Sequence, residues 1–434
     1  MASQTSAADV DSLWQATSVA RPAFASLTGD RAFDVAVIGG GYTGLSTARY
    51  LAKAGLAPVV LEANRIGWGA SGRNGGVVSD KFRVGFRAIA ARHGLDTARR
   101  MHDLGLEAVE HVGQLVEDFD IKGADYRPSG SLLCAHNGHT LAGLESEAAW
   151  LRGTFGDAAV SMLRAEEVAA ETGSRGFTGG MLNPHGGVIH PLNYVLGLAA
   201  GLKAAGIAIH ENTPVTGLRR EATGIVAETP AGRISARQLV IATNSYSDLT
   251  PATAPVRRSI IPFRSAMIAT EPLAGTPGAG LLASGRSYTE TRRMMRWFRK
   301  SGDRLLYGGR GAFGKTDTRA AFAALETAMV RQFPELAAVK VTHRWSGLVA
   351  VTLDSLPHLG RLDDRVVYSV GYNGTGVALS SAIGRHVAAL VAGGSPDLGL
   401  LTRLPLHPIP FYGLREPAVR LVAGWYQFLD AIGR

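Results

Sequence analysis

The chain has 434 residues, a formal net charge of +9 and one cysteine, Cys134. A single cysteine excludes an internal disulfide and any multi-cysteine metal site, which points to a reducing compartment, and 46% hydrophobic content suits two globular domains rather than a disordered chain. Cations are scattered apart from Arg292, Arg293, Arg296, Arg299 and Lys300, the pattern of a solvated strand face rather than a nucleic-acid footprint. The N-terminal stretch has no charged region followed by an apolar one, and no run reaches the roughly 20 apolar residues of a membrane span. The expected location is the cytoplasm.

The first informative stretch is 33–76. A continuous apolar run, Val35 to Ile38, reads as a buried parallel strand and turns at Gly39-x-Gly41-x-x-Gly44 into a helical pattern ending at Gly55. Gly39 permits the turn, Gly41 lets the backbone approach a pyrophosphate, and Gly44 lets the helix lie on the strand, with Tyr42 and Thr43 at the helix start supplying unpaired N–H groups to an anion. A second apolar strand, Pro58 to Leu61, ends in Glu62 beside Ala63, and an acid there suits a ribose hydroxyl. Strand, turn, helix, second strand and acid together predict dinucleotide binding.

A second glycine-rich segment follows at 67–76, GWGASGRNGG, with Ser71, Arg73 and Asn74 set among Gly69, Ala70, Gly75 and Gly76. Donors and a cation between glycines predict close approach of backbone to an anionic ligand. An NAD dehydrogenase has no use for this loop. With GASGRNGG following the acid of the second strand, the chain resembles the D-amino-acid oxidase superfamily of FAD-dependent oxidoreductases, and within it the gamma-glutamylputrescine oxidoreductase branch. The resemblance implies an α/β (α+β overall) fold: a glutathione-reductase-type FAD-binding Rossmann domain and an antiparallel-sheet substrate domain. The expected division is 30–80, 187–250 and 343–400 for the FAD domain, 81–186 and 251–342 for the substrate domain, and 401–434 for a helical tail.

Helical periodicity runs from about Asp96 to Phe119 and from Leu141 to Phe155, separated by the strand-like SGSLLCA from Ser129, whose apolar run Ser131 to Ala135 holds Cys134 as a small core residue. Pro191 and Gly206 bracket a helix, and His190 before it reads as a cap more readily than as a ligand of flavin or substrate. Short strands at Ile207 to His210, Pro214 to Leu218, Ile225 to Thr229, Arg233 to Ser235 and Leu239 to Ala242 resemble the family's meander crossover. The resemblance assigns main-chain atoms of Val215 to adenine and the turn Ala242-Thr243-Asn244 to passage of the cofactor.

Alternating strands at Ile260 to Thr270, Tyr288 to Arg299 and Arg304 to Gly308, then a helix from Thr318 to Phe333, predict the second half of an antiparallel substrate sheet. Val366 to Val370 is a buried strand, and Gly371-Tyr372-Asn373-Gly374-Thr375-Gly376-Val377 turns into a helix ending at Gly393. A helix start of this kind favours negative charge. The resemblance puts this turn at flavin N1 and O2, where charge accumulates on reduction.

Departures from the family bear on the substrate. Related amino-acid oxidases carry basic carboxylate clamps at positions that fall here at Val349, after Trp345-Ser346-Gly347, and at Ala378. The pocket is therefore expected to take a primary or secondary amine, of gamma-glutamylputrescine-like or aminoalkyl type, with Trp345, Tyr372, Phe298 and Tyr288 as walls. No triad or metal is expected, since flavin carries the chemistry. The GASGRNGG loop has no histidine for covalent attachment, so FAD is expected to be non-covalent. Oxygen is the expected acceptor, releasing hydrogen peroxide, although Leu306 stands where many oxidases of the superfamily hold a lysine and Lys315 is close in sequence. The alternatives are an amino-acid oxidase or an acceptor-dependent dehydrogenase of the same superfamily. A rival role for the C-terminal helix 416–432 is docking to a membrane or partner through Val419, Val422, Tyr426 and Leu429 beside Arg415 and Arg420, against plain packing on its own domain.

Overall fold

The computed structural model describes residues 11–312 and 319–431. Two eight-stranded sheets organise it. In the first, the spatial order is His358–Arg361, Val366–Val370, Gly232–Ile241, Arg31–Ile38, Pro58–Leu61 and Ala208–His210, with the inner pairs parallel. Strands Gly217–Arg220 and Ile225–Thr229 join it antiparallel through Gly232–Ile241. The sheet is covered on both faces, which is why its central strands are apolar throughout. Val35, Val37 and Val60 pack with the helix side, whereas Ala36, Ile38, Val59 and Leu61 pack with Val215, Ile225 and Ile234 beneath the meander.

The expected third meander strand, Arg233 to Ser235, and the following core strand, Leu239 to Ala242, are one continuous strand, Gly232–Ile241. Its burial alternates at first and becomes continuous as it enters the sheet, so a single strand carries both sequence periods. Likewise, the stretch expected as one strand from Tyr288 is two, Ser287–Glu290 and Arg296–Ser301, paired as neighbours.

The second sheet runs Val341–Val351, Ile261–Thr270, Arg304–Ala312, Arg296–Ser301, Ser287–Glu290, Ser131–Ala135, Gly179–Asn183 and Ser161–Arg164. It is antiparallel except where Ser287–Glu290 meets Ser131–Ala135. Cys134 is fully buried within it. The strand Val341–Val351 runs beyond the expected boundary at 343 and belongs wholly to this sheet. Helix Arg319–Gln332 covers one face, burying Tyr288, Phe298, Tyr307 and Phe333.

Two helices set the position of the glycine loops. Tyr42–Lys53 follows the first strand and Gly376–Val391 follows Val366–Val370. They cross at Gly384, where a Cβ would come within 2.5 Å of both the Ser46 Cβ and the Thr47 backbone nitrogen. Ser46 Oγ donates to the Ser381 carbonyl at 2.5 Å at the same crossing. Only glycine permits that approach, and it brings the two helix N-termini side by side.

Candidate active site

The fingerprint turn is built by contact. Gly39 sits at φ +107°, where a Cβ would come within 2.9 Å of the Ala242 carbonyl oxygen, and a Cβ on Gly44 would lie 1.9 Å from the Gly39 oxygen. Glu62 Oε2 accepts from Gly40 N–H at 2.8 Å and Oε1 from Asn64 N–H at 2.9 Å, which fixes the carboxylate at the end of its strand with lone pairs to spare. Burial, opposed by these two hydrogen bonds, raises the Glu62 carboxyl above the usual range.

Helix Tyr42–Lys53 starts without a side-chain cap and without an acid in its first turn. The N–H groups of Gly41, Thr43 and Gly44 have no hydrogen-bond partner among the described residues, whereas Tyr42 N–H is taken by Ser71 Oγ at 3.1 Å. That cluster of orphan donors at a positive helix end fits a pyrophosphate. Helix Gly376–Val391 repeats the arrangement: it too lacks a side-chain cap and first-turn acid, and Gly371 and Gly374 take φ +82° and +91°. Thr375 N–H is used by the Tyr372 carbonyl, leaving Gly376 and Val377 N–H without a partner among the described residues. The Val215 N–H is open in the same sense, and the residue is buried, with its carbonyl accepting from Thr250.

The loop 67–76 holds its shape largely with its own polar groups. Asn74 Nδ2 donates to the Ala70 and Ser71 carbonyls at 3.1 Å each, and its Oδ1 accepts from Gly76 N–H at 2.8 Å. Arg73 Nε donates to the Trp68 carbonyl at 2.5 Å and its guanidinium lies 4.7 Å from the Trp68 ring. Asn74 and Arg73 thus organise the loop, while Ser71 Oγ, an acceptor for Tyr42, keeps its hydroxyl hydrogen for an anion. Gly69 lies against Tyr246, and a Cβ on Gly76 would meet the Ile189 oxygen at 2.1 Å.

Four side chains to which sequence reasoning assigned no such role assemble these loops. Trp14, fully buried, donates from Nε1 to the Asn74 carbonyl at 2.9 Å. Its only sequence signal is an apolar Leu13–Trp14 pair after a capping serine, Ser12. Arg299 donates from Nε to the Gly75 carbonyl at 2.7 Å and from Nη2 to the Ile189 carbonyl at 2.8 Å, with its guanidinium 5.2 Å from the Trp14 ring. It is 3% exposed, which corrects its reading as part of a solvated face, and burial pushes its pKa down to about 9. Asn244 Oδ1 accepts from Gly371 N–H, and Trp297 sits beside Gly75, its Nε1 3.3 Å from where a Cβ would stand.

The four expected pocket walls separate. Trp345 is buried against the loop 67–76, its Nε1 donating to the Arg73 carbonyl at 2.9 Å. Phe298 and Tyr288 instead stack on each other at 5.5 Å beneath helix Arg319–Gln332, on the opposite sheet face from Arg299 and Trp297. They are core residues because strand alternation sends Phe298 the other way. Tyr372 is also turned inward: its hydroxyl meets Thr43 Oγ1 at 2.7 Å and Ser369 Oγ at 2.8 Å, and burial pushes its pKa up to about 12. Tyr42 is closed as well, with its hydroxyl at the Ser71 and Pro191 carbonyls. Asn373, at φ +54°, braces its loop by accepting from Thr352 N–H at 3.1 Å. His190 caps its helix, accepting Asn193 N–H at Nδ1, and burial pushes its pKa down to about 4. Lys315 lies outside the described residues.

The family description FAD dependent oxidoreductase (DAO) matches residues 34–390, which spans both glycine turns and both sheets. The chain belongs to this family. It is an oxidoreductase, and FAD is its cofactor. Gamma-glutamylputrescine oxidoreductase of Escherichia coli is 34% identical over 403 residues, covering 92% of this chain and 93% of the relative. A glycine oxidase of Geobacillus kaustophilus is 26% identical over 371 residues, 83% of this chain and 93% of the relative. The crystal structure of a glycine oxidase from that organism superposes with a TM-score of 0.73 at 23% identity, covering 86% of this chain and 99% of that one, which shows the shared fold. The glycines and orphan amides described above have the donor chemistry that an FAD pyrophosphate requires. No helix among the described residues is long and apolar enough to cross a membrane.

Proposed function

We propose that this oxidoreductase takes a primary or secondary amine, with any acyl or carboxyl group several bonds from the reacting carbon. FAD, when bound, supplies a hydride acceptor at N5: the carbon next to nitrogen gives the hydride, nitrogen loses a proton, and the resulting C=N takes up water to yield an aldehyde and a smaller amine or ammonia. The chain's part is to hold the cofactor through Glu62, the amides of Gly41, Thr43 and Gly44 and those of Gly376 and Val377. It also orients the substrate and keeps it dry.

One observation carries the substrate class. Val349 Cγ1 lies 3.7 Å from the Cβ position of Gly374, so the strand Val341–Val351 presents an apolar side chain to the second glycine loop. Ala378 is fully buried, and the Arg299 guanidinium is already spent on backbone carbonyls. A carboxylate attached to the reacting carbon finds no paired cation at these positions. The name of the Escherichia coli relative supports the same reading. FAD is held without a covalent bond, in keeping with a loop that lacks histidine and a Cys134 thiol that is buried and pushed up in pKa; acid precipitation leaves the yellow colour in the supernatant.

Anaerobic bleaching of the flavin tests the substrate. Alkylamines, gamma-glutamylated amines and aminobutyrate derivatives bleach it before glycine, sarcosine, proline or D-alanine do. Rapid bleaching by D-alanine or glycine with no response to amines replaces this reading with an amino-acid oxidase. Oxygen is the proposed acceptor, with hydrogen peroxide as product, and reoxidation lasting minutes in air argues instead for a dye or quinone.

A further inference from the structure

Among the described residues eleven large hydrophobics are exposed, and six of them fall between Phe411 and Phe428. Phe411 is 83% exposed, Leu421 76%, Leu414 63% and Trp425 57%. Leu421, Trp425 and Phe428 follow one another at helical spacings of four and three, so they form one stripe along the helix Arg415–Ala431, with Leu414 exposed in the turn just before it. This is not the stripe expected from sequence. Of the expected stripe Val419, Tyr426 and Leu429 are half-buried and Val422 is exposed, and a second, more exposed apolar face stands beside it. Trp425 and Phe428 stack there with ring centroids 5.6 Å apart.

Cations flank that face. A cleft of about 530 Å³ at the foot of the helix is lined by Arg257, Arg258, Phe411, Tyr412, Gly413 and Leu414. The nearby acid is spoken for: Asp248 pairs with Arg257 at 3.5 Å and with Arg415 at 3.8 Å. Arg258 and Arg420 are exposed and form no ion pair within the described residues. A chain of formal charge +9 that presents arginines beside a tryptophan-bearing apolar stripe is complementary to an anionic, apolar-cored surface. Two copies meeting through this face set Arg258 and Arg420 of one against the same cationic patch of the other. We infer that the helix Arg415–Ala431 lies in the interface of an anionic lipid membrane, with its apolar stripe in the acyl boundary and Arg258 and Arg420 at the headgroup phosphates.

This inference is independent of the substrate. Arg415 anchors the helix to Asp248, on the same turn, Asn244–Leu249, that ties the two flavin loops, so docking sets those loops close to the bilayer. Flotation of the holoprotein with vesicles tests it, using phosphatidylcholine alone and phosphatidylcholine mixed with phosphatidylglycerol. The holoprotein floats with the mixed vesicles and stays at the bottom with phosphatidylcholine alone. Combined Leu421→Ser, Trp425→Ser and Phe428→Ser, and separately Arg258→Glu with Arg420→Glu, each lower the bound fraction at least about tenfold while flavin content is unchanged. Failure to float with either vesicle overturns the inference, as does equal flotation with both. A concentration-dependent dimer by light scattering that the serine variant abolishes, without flotation, overturns it in favour of an interface between copies.

Discussion

Asn244 Oδ1 accepts the Gly371 N–H at 2.9 Å, joining the turn after Gly232–Ile241 to the loop that opens the second glycine-turn helix. Asn244 stands at φ +45°, a left-handed conformation that asparagine tolerates better than most residues. Gly371 is thereby fixed relative to Ala242, whose carbonyl touches Gly39. One side chain sets the spacing between the two halves of the cofactor cradle. Asn244→Ala loses a hydrogen bond and gains backbone strain, together about 1–2 kcal/mol, and loosens FAD roughly tenfold. Asn244→Asp, which keeps the acceptor, restores retention after ultrafiltration; equal retention by the alanine variant refutes the linkage.

Glu62 is the proposed acceptor for the ribose, and charged hydrogen bonds of this kind contribute about 1.5–3 kcal/mol. Glu62→Ala therefore weakens FAD by roughly ten- to a hundredfold, and Glu62→Gln by less. Gly41→Val empties the site, because even a Cβ at Gly41 comes within 2.9 Å of Ser71 Oγ. The pH dependence follows from the raised Glu62 pKa. The folded chain binds this proton more readily than the unfolded one, so stability without cofactor falls as pH rises from the ordinary carboxylate range through the raised value. FAD needs the ionised acceptor, so its affinity moves the opposite way and drops on acidification through that value. Fluorescence titration of released FAD across pH reads this, and the Glu62→Gln titration is flat.

Arg299 is a buried cation whose partners far along the chain are two carbonyls, those of Gly75 and Ile189, beside a longer 3.4 Å contact to the carbonyl of its neighbour Lys300. Taking it away leaves both oxygens buried and unpaired, at a cost of about 3 kcal/mol. Lysine has neither the fork nor the planar face that meets Trp14, so Arg299→Lys recovers little. Both variants melt at lower temperature and shed FAD before they unfold. A variant that melts early yet keeps its flavin to the end of the transition contradicts the role of Arg299 as the clasp of the loop.

The fingerprint helix, the GASGRNGG loop and the second glycine turn were legible because their glycines answer to local geometry. The same locality explains why Val366 to Val370 was found to the residue, and why the strand read from Ser129 was off by two residues at its start only. Arg299 was misread because its partners lie 224 and 110 positions away, and nothing near it in sequence signals burial. Trp14 escaped for the same reason. Tyr372 looked like a wall because it lies within a functional loop, yet its hydroxyl answers to Thr43, 329 positions earlier.

Phe298 and Trp297 show how one position decides a role. The run Met294 to Arg299 alternates visibly, but alternation alone does not say which face meets the cofactor. Pairing does: Trp297 stands opposite Gly308, whose missing side chain leaves room for the indole, and Phe298 stands opposite Tyr307 in the helix-covered core. Trp297 is half-buried beside Gly75, whereas Phe298 is 2% exposed. Trp297→Ala accordingly lowers kcat/KM at least about tenfold by loosening substrate orientation, with a small change in melting temperature. Phe298→Ala costs about 3–5 kcal/mol of stability and leaves kcat/KM of the folded fraction near wild type. Steady-state kinetics normalised to bound flavin, with thermal melting of both variants, separates the two. The reverse pattern, a catalytic defect in Phe298→Ala and a melting defect in Trp297→Ala, means that the other sheet face meets the flavin.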